Sequence, residues 1–576
     1  MKKNIFQISF AALVVAALVS CSQKDKTGLL IPADAMVVIH FNGASLSSKL
    51  GWQEIKNSSW FRQFDSMRHQ SHAIHDMQAG NPDHGVGLNG DSTEMEDSVF
   101  HQALLDPERS GVDLENDLVY FRRANGAGMY GVLEGKLKDS AHFRDFTQMM
   151  LRGATLKSAD GINSGRLGEA IIVAWSKNRF VFLHNIEKPQ EGNTKPNKIN
   201  SDSLDLLARQ TLTLDDSKTL GTDKRFASLF NDGGDIHAWI NSSLVYENLQ
   251  GDMAAYLSML KIDALTNENY MAVSLSFDAG KISIHSKHYY NKEMSDLIKR
   301  NPPQDLDANE INRIPANAVA GFAWNYNPTG LKDLMQLTGL DGLATVYFSR
   351  ANISVEEMVN AGKGKLIFAM ADAGMQTAAD SFLSHGKLPD STRRHHVAGH
   401  FIVAFQVDNK NSFQKLLNWG LSKSGTTTQG LPGFTYKMQD DWFAAGNDSL
   451  SIAAALAGTG TANPYLEKIK GYPAGGYVDF RKFFDGIHPS PADTGRLNKL
   501  NIERATWEDA VITGGNYKDG AVVYTIEINM KDKKQNSLKQ MNVFAGEIIN
   551  NSIHFPFMHH HDYTVTDTLP TNRHGK

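Results

Sequence analysis

The chain has 576 residues, 41% of them hydrophobic and 21% charged, with a mean hydropathy of −0.35. That composition excludes a polytopic membrane protein and a disordered chain. Lys and Arg number 58 against 63 Asp and Glu, a formal charge of −5, so the balance does not favour a polyanion and nucleic acid is not an expected partner. At roughly 100–200 residues per domain, the length predicts about three to five units, each burying its own core.

The first predicted element is an export signal over residues 1–20. Met1-Lys2-Lys3 supplies a positive start, Ile5 to Val19 is an uncharged, mostly apolar stretch, and Leu18-Val19-Ser20-Cys21 closes it. Fifteen residues fall short of the ~20 that a membrane-spanning helix needs and suit a signal peptide. Cys21 is the only cysteine in the chain. Leu-Val-Ser-Cys resembles the bacterial lipobox, whose cysteine becomes residue one and carries acyl chains, so Cys21 is the expected lipid attachment site and the membrane an expected partner. Removing Lys2 and Lys3 with the signal takes the formal balance from −5 to −7. No thiol then remains for a disulfide or a thiolate metal site, so core burial alone must hold the body together. Residues 21–29 form the tether. Ser22 stands where an inner-membrane retention signal would place Asp, which predicts transfer to the outer membrane. Gln23-Lys24-Asp25-Lys26 leaves the periplasmic and cell-surface faces both open.

The body reads as a tandem duplication, residues 30–300 and 313–550. Ile31-Pro32-Ala33-Asp34-Ala35 returns as Ile314-Pro315-Ala316-Asn317-Ala318, an offset of 283, and each copy leads into an apolar strand. Tyr130 to Leu137 then matches His400 to Val407, and Phe143 matches Phe413, at an offset of 270 that also aligns Asn178–Phe180 with Asp448–Leu450. Phe226 to Leu229 pairs with Tyr465 to Lys468 at 239, and hairpins turning at Gly280 and Gly520 pair at 240. Four blocks in one order, with a smoothly drifting offset, outweigh any single match. Pro302-Pro303 marks a linker over 301–312 because prolines cannot continue the preceding helix. The alternating strands and short turns predict an α+β fold, a duplicated antiparallel sheet partly covered by helices. Leu538 to Ile548 suggests a closing amphipathic helix. A polar insertion at 62–110 and a His-rich tail at 551–576 lie outside the repeat.

With the lipobox-like Cys21, the Ile-Pro-Ala-Asp-Ala strand and the duplicated body in place, the chain resembles a family of Bacteroidota lipoproteins known only as a domain of unknown function, of the family 4836 type. The resemblance covers roughly residues 21–550. It implies an exported, lipid-anchored envelope protein and supplies no active-site residues.

Catalytic and cofactor motifs are not found. Gly85-Val86-Gly87-Leu88-Asn89-Gly90 carries a nucleotide-binding spacing but follows polar Pro82-Asp83-His84 rather than a strand, so it reads as a loop. Asp440-Asp441-Trp442 offers the ingredients of a sugar site, yet adjacent strand residues face opposite ways, which favours a turn before a core Trp. The other tryptophans read as core anchors. His69, His72 and His75 recur every three residues, which splays their rings on a helix. His559-His560-His561 forms the candidate metal triplet, against a plain solvated tail. Asp-Ser or Asp-Thr followed by a small or aliphatic residue resembles the O-glycan acceptor of Bacteroidota. It places candidates at Ser66, Ser92, Ser98, Ser140, Ser203, Ser391, Ser449 and Thr568. Eight such triplets exceed the ~2 expected from composition. Two classes stay open. One is a non-enzymatic binding or structural module for an envelope protein or glycan, requiring no cofactor. The other is an exported hydrolase whose site is assembled from distant residues.

Overall fold

The computed structural model describes residues 29–63, 110–125, 128–151, 156–168, 170–186, 199–248, 260–371, 399–423, 434–489 and 494–552. Cys21, most of the 62–110 insertion and the tail beyond 552 lie outside them, as do Ser66, Ser92, Ser98, Ser391, Thr568 and His559, His560 and His561.

The strands of the first half are β1 (Val37–Phe41), β2 (Leu118–Asn125), β3 (Gly128–Lys136), β4 (Lys157–Ala159), β5 (Ile162–Leu167), β6 (Ile171–Trp175), β7 (Arg179–Ile186), β8 (Ile236–Asn241), β9 (Tyr270–Asp278) and β10 (Lys281–Tyr289). Those of the second are β11 (Ala318–Asn325), β12 (Gly362–Ala371), β13 (His400–Val407), β14 (Thr435–Gln439), β15 (Trp442–Gly446), β16 (Ala474–Asp479), β17 (Trp507–Lys518) and β18 (Ala521–Met530). The helices that matter below are α1 (Gly43–Lys49), α2 (Ser140–Met150), α3 (Ser201–Leu212), α4 (Pro328–Thr338), α5 (Leu340–Ser349), α6 (Val355–Asn360), α7 (Lys410–Lys423), α8 (Ser449–Ala457) and α9 (Ser537–Ser552).

All eighteen strands form one antiparallel sheet. From one edge, the first half runs β4, β5, β6, β7, β3, β2, β1, β8, β9, β10. The second continues from β10 through β18, β17, β16, β11, β12, β13, β15 and β14. The duplicated α+β fold expected from the blocks is therefore present. In each half the Ile-Pro-Ala strand, β1 or β11, lies between the next strand in sequence and a later strand, β8 or β16.

The ladders also correct one alignment. Leu137 N–H donates to Asn178 O (2.9 Å), and Val407 N–H donates to Asp441 O (2.7 Å), so Asn178 corresponds to Asp441 and not to Asp448. Asp448 instead caps α8, accepting from Leu450 and Ser451 N–H. The first half carries an extra β4–β5 hairpin ahead of this point, which shortens the offset downstream.

One face of each half carries the main core. It gathers Val119, Val181, Ile172, Phe226 and Trp239 in the first half and Ile367, Ile402, Ala404, Trp442 and Ile469 in the second. The opposite face is covered by α2 or α7. Pro302-Pro303 precedes a docked segment: Leu306 is buried, donates to Tyr472 O and accepts from Gly471 N–H. α9 returns to the first half, where Lys539 pairs with Glu54 (2.9 Å) and Asn542 Oδ1 accepts from Trp60 Nε1 (2.7 Å).

The N-terminal strap packs over β3. Leu30 and Ile31 are buried, and Leu30 N–H donates to Glu134 Oε1 (2.9 Å). Burial pushes the Glu134 carboxyl up to about 7, against the opposing pull of Arg179 and the Leu30 amide. A carboxyl raised on folding binds a proton that the unfolded chain has released between its two pKa values. Its stabilising effect is therefore complete below about pH 4.5 and is lost as pH rises through about 7. Glu134→Gln should match the parent near pH 4 and exceed it by about 3 kcal/mol near pH 8. Urea unfolding across that range checks this, and parallel pH profiles would contradict it.

Candidate functional site

Cross-strand neighbours in an antiparallel sheet share a face. The register therefore aligns Trp324, Leu366, Phe405, Phe443 and Met438 as one apolar row across β11, β12, β13, β15 and β14. Beside it the ladder between β12 and β13 breaks, with a register shift between Gly362 and Leu366. Gly364 sits in that bulge at φ +82°, where a Cβ would come within 1.9 Å of Tyr326 O. Only glycine fits there. α7 covers the row because Phe413, Leu416, Leu417 and Leu421 recur at i, i+3, i+4 and i+8. Asn409 Oδ1 accepts from Ser412 N–H at the start of that helix (3.0 Å). Between sheet, bulge, α6 and α7 lies a groove of about 510 Å³, lined chiefly by Met358, Leu366, Phe405, Phe413, Leu417 and Phe443.

The polar side chains next in line on these strands, Lys365 and Gln406, turn to the opposite face of the sheet and are engaged there. Lys365 pairs with the buried Glu310, which also accepts from Asn325 Nδ2 (2.8 Å). Gln406 Nε2 and Lys363 Nζ both donate to Asp441 (2.7 and 2.8 Å). Lys363, aided by Gln406, holds the Asp441 carboxyl below its ordinary range. Burial raises the pKa of the Tyr326 phenol, so its hydroxyl stays neutral.

The two halves differ at the end of this row, beyond the groove lining. The correspondence of Asn178 with Asp441 places Trp175 where the second half has Met438, and Phe182 where it has Ala445. Trp175 and Phe182 are buried with Phe143, Phe146 and Phe180 under α2, whereas Met438 is 40% exposed. Beside the groove, α5 leaves Leu343, Val346 and Tyr347 exposed. The rings of Tyr347 and Phe348 lie 5.0 and 4.9 Å from Trp419 of α7. Contiguous exposed apolar surface of this kind marks an interaction site.

A second cluster is polar, sealed and confined to the first half. His40 and His237 face each other across β1 and β8 with Nδ1 atoms 3.1 Å apart. His237 Nε2 donates to Gly233 O (2.9 Å), and the two Nδ1 atoms share one hydrogen bond. His40 Nε2 lies 3.4 Å from Asp117. Below them the fully buried Asp235 accepts from Ser45 Oγ (2.6 Å), Lys49 Nζ (2.7 Å) and Phe277 N–H (2.6 Å). The matching pair in the second half is Ala323 and Gly475. Both His rings are almost wholly buried, so the cluster binds strand to helix rather than facing a substrate.

The sequence-derived candidates do not converge on either place. Asp139 and Asp448 are N-caps of α2 and α8, which makes Ser140 and Ser449 the first residues of helices. Ser203 lies in the first turn of α3, where its N–H donates to Asn200. Helix capping thus accounts physically for two Asp-Ser pairs. Asp440 occupies a turn at φ +56°, and Asp441 points to Lys363 and Gln406. Trp442 is buried under the Arg313 guanidinium (4.1 Å). The turn-before-core reading therefore holds there. Trp324 departs from the expected role of a core anchor: it is 42% exposed. Among the described residues no group of three or more His, Cys, Asp or Glu could hold a metal ion. Sequence reasoning passed over the groove, although the stripe on α7 and the nearly uncharged Leu340 to Phe348 were visible signals.

Removing the Asp235 carboxylate strands a partly buried ammonium and a buried amide. Asp235→Ala should cost on the order of 3–5 kcal/mol, measured by urea unfolding. A loss within the range of an exposed ion pair, under ~1 kcal/mol, would show the cluster to be dispensable.

Comparison with known proteins adds the following. Solved structures of TP0453 in crystal forms I, III and IV are 10% identical in sequence, with TM-scores of 0.24, 0.23 and 0.23. They cover 47–48% of this chain and 84–88% of their own. No curated protein matches. Residues 28–442 match the model of a domain of unknown function (DUF4836). That match runs from the strap through the whole first half to the groove strands of the second, and the chain belongs to the DUF4836 family.

Proposed function

We propose that this chain is a lipid-anchored protein of the bacterial cell envelope, held at the outer membrane through an acylated Cys21, and that its body is a non-enzymatic binding module. The groove carries the binding half of this reading. It is accessible and lined by apolar side chains, which is the character of a recognition surface. A hydrolase needs convergent acids or an activated nucleophile at an accessible cleft. On the described residues, Asp441 is tied to Lys363, Ser45 donates to Asp235 rather than to a histidine, and the His pair is sealed. The observations therefore favour the binder, with an envelope protein or glycan among its partners.

The anchor half rests on the sequence. The body follows the lone cysteine closely, since the strap is already packed at Leu30. Among the described residues no helix is long and apolar enough to cross a membrane. Cys21→Ala should move the protein from membranes to a soluble exported fraction and abolish incorporation of labelled palmitate. Membrane retention of that variant sinks the anchor. Affinity purification of the lipidated chain from envelope membranes tests the binding half, for which a stoichiometric partner is expected. Proteinase K on intact cells separates the two membrane faces, since full protection means the periplasmic one.

A further inference from the structure

We propose that the groove of the second half binds a single fatty acyl chain carried by an uncharged lipid, whose ester or hydroxyl oxygen accepts a hydrogen bond from Tyr326. This rests on the binding-module reading and names its ligand class.

Size and lining come first. About 510 Å³ lies within the ~300–1,000 Å³ of small-molecule pockets. The walls are flexible aliphatic side chains from α6 and α7 over a floor of Leu366, Phe405 and Phe443. Such a surface fits a chain of methylenes and offers a polar ligand nothing along its length.

Charge narrows the head group. Lys365 is the one charged residue along the lining, and its side chain turns to the opposite face of the sheet to pair with Glu310, as Gln406 turns to Asp441. A carboxylate or phosphate would find no cation inside the groove, so the complementary ligand is neutral. Tyr326 supplies the polar contact. It lines the groove, and its hydroxyl has no hydrogen-bond partner among the described residues. A half-buried neutral phenol donates to an oxygen acceptor at little cost.

The groove does not need to stay open for backbone reasons. A Cβ on Gly362 would meet nothing closer than Gln406 O at 3.6 Å and Tyr326 Oη at 3.7 Å. A side chain is therefore tolerated at Gly362 and would project toward the Tyr326 hydroxyl.

The full-length Cys21→Ala protein would be titrated calorimetrically with 1-monoacylglycerols of increasing chain length, each below its aggregation threshold. Affinity should rise about fourfold per added methylene until the groove is filled, and then level off. Gly362→Leu and Leu417→Trp, checked for unchanged circular dichroism and melting temperature, should each weaken binding at least tenfold. Tyr326→Phe should weaken every chain length by the same factor, about two- to tenfold. The matching free fatty acid, tested above its pKa, should bind more weakly than the monoacylglycerol. Affinity independent of chain length, or undiminished binding to the folded Gly362→Leu variant, overturns the proposal. A protein partner recovered from envelope membranes alongside no acylglycerol binding overturns it too, while leaving the binding module intact.

Discussion

The ladder between β10 and β18 is the constraint on which the rest of the architecture depends. Each half ends in a hairpin whose outer strand would otherwise expose a long row of unpaired N–H and C=O groups, an invitation to aggregation. The two outer strands satisfy one another over nine residue pairs. His285 pairs with Thr525 at the centre, and those residues differ by the same 240 as the turn glycines Gly280 and Gly520. Equivalent strands therefore meet about a local two-fold axis, as in an isologous dimer interface. What the seam leaves exposed is short: β4 of three residues at one end and β14 of five at the other. α9 reinforces the junction, and a Cβ at Gly546 would lie 2.3 Å from Ser59 Oγ, so this helix depends on close approach to the first half.

A duplication fused in this way frees each half to specialise without losing the shared backbone. Along one face, His40, His237 and Glu134 occupy positions that the second half fills with Ala323, Gly475 and Ala404. Buried polar groups cost free energy unless paired, and these are paired, so the first half exchanges simple packing for a bonded strap and strand end. On the other face the exchange runs the opposite way. Trp175 and Phe182 pack under α2 in the first half, where the second half has Met438 and Ala445. Gly135 shows how tightly the first half is filled, since a Cβ there would lie 2.5 Å from Leu118 Cδ2 and 2.9 Å from Phe180 Cε1. Its counterpart in the second half is Phe405, a floor residue of the groove.

Much of the fold was legible in the chain because strand alternation and turn glycines are local signals that a duplication prints twice. The paired blocks located β1 and β11, β3 and β13, and both terminal hairpins. The alignment slipped at Asn178 because an extra hairpin in one copy changes the spacing while leaving the local pattern intact. The groove was not legible for a different reason. Leu366, Phe405, Phe443 and the stripe on α7 have the same periodicity whether they face a packed core or an open groove, and the difference lies in what stands opposite them. His40 and His237, 197 residues apart in sequence, likewise meet only through the β1–β8 register. The preference for Asp at a helix N-cap, as at Asp139 and Asp448, produces the same dipeptide as a modification signal.

The separation of ionisable groups from accessible space bears on what kind of protein this is. The carboxyl with the most displaced pKa among the described acids, Glu134, is locked beneath the strap. The His40–His237 pair and Asp235 are closed off under β1 and α1. The accessible groove lies in the other half, and its interior is aliphatic and aromatic. Catalysis requires that a reactive group and the substrate share one space. Recognition requires shape and desolvation, with few polar contacts to fix orientation. With its sealed polar groups devoted to strap and strand ends and its open surface apolar, the molecule meets the second requirement in its second half.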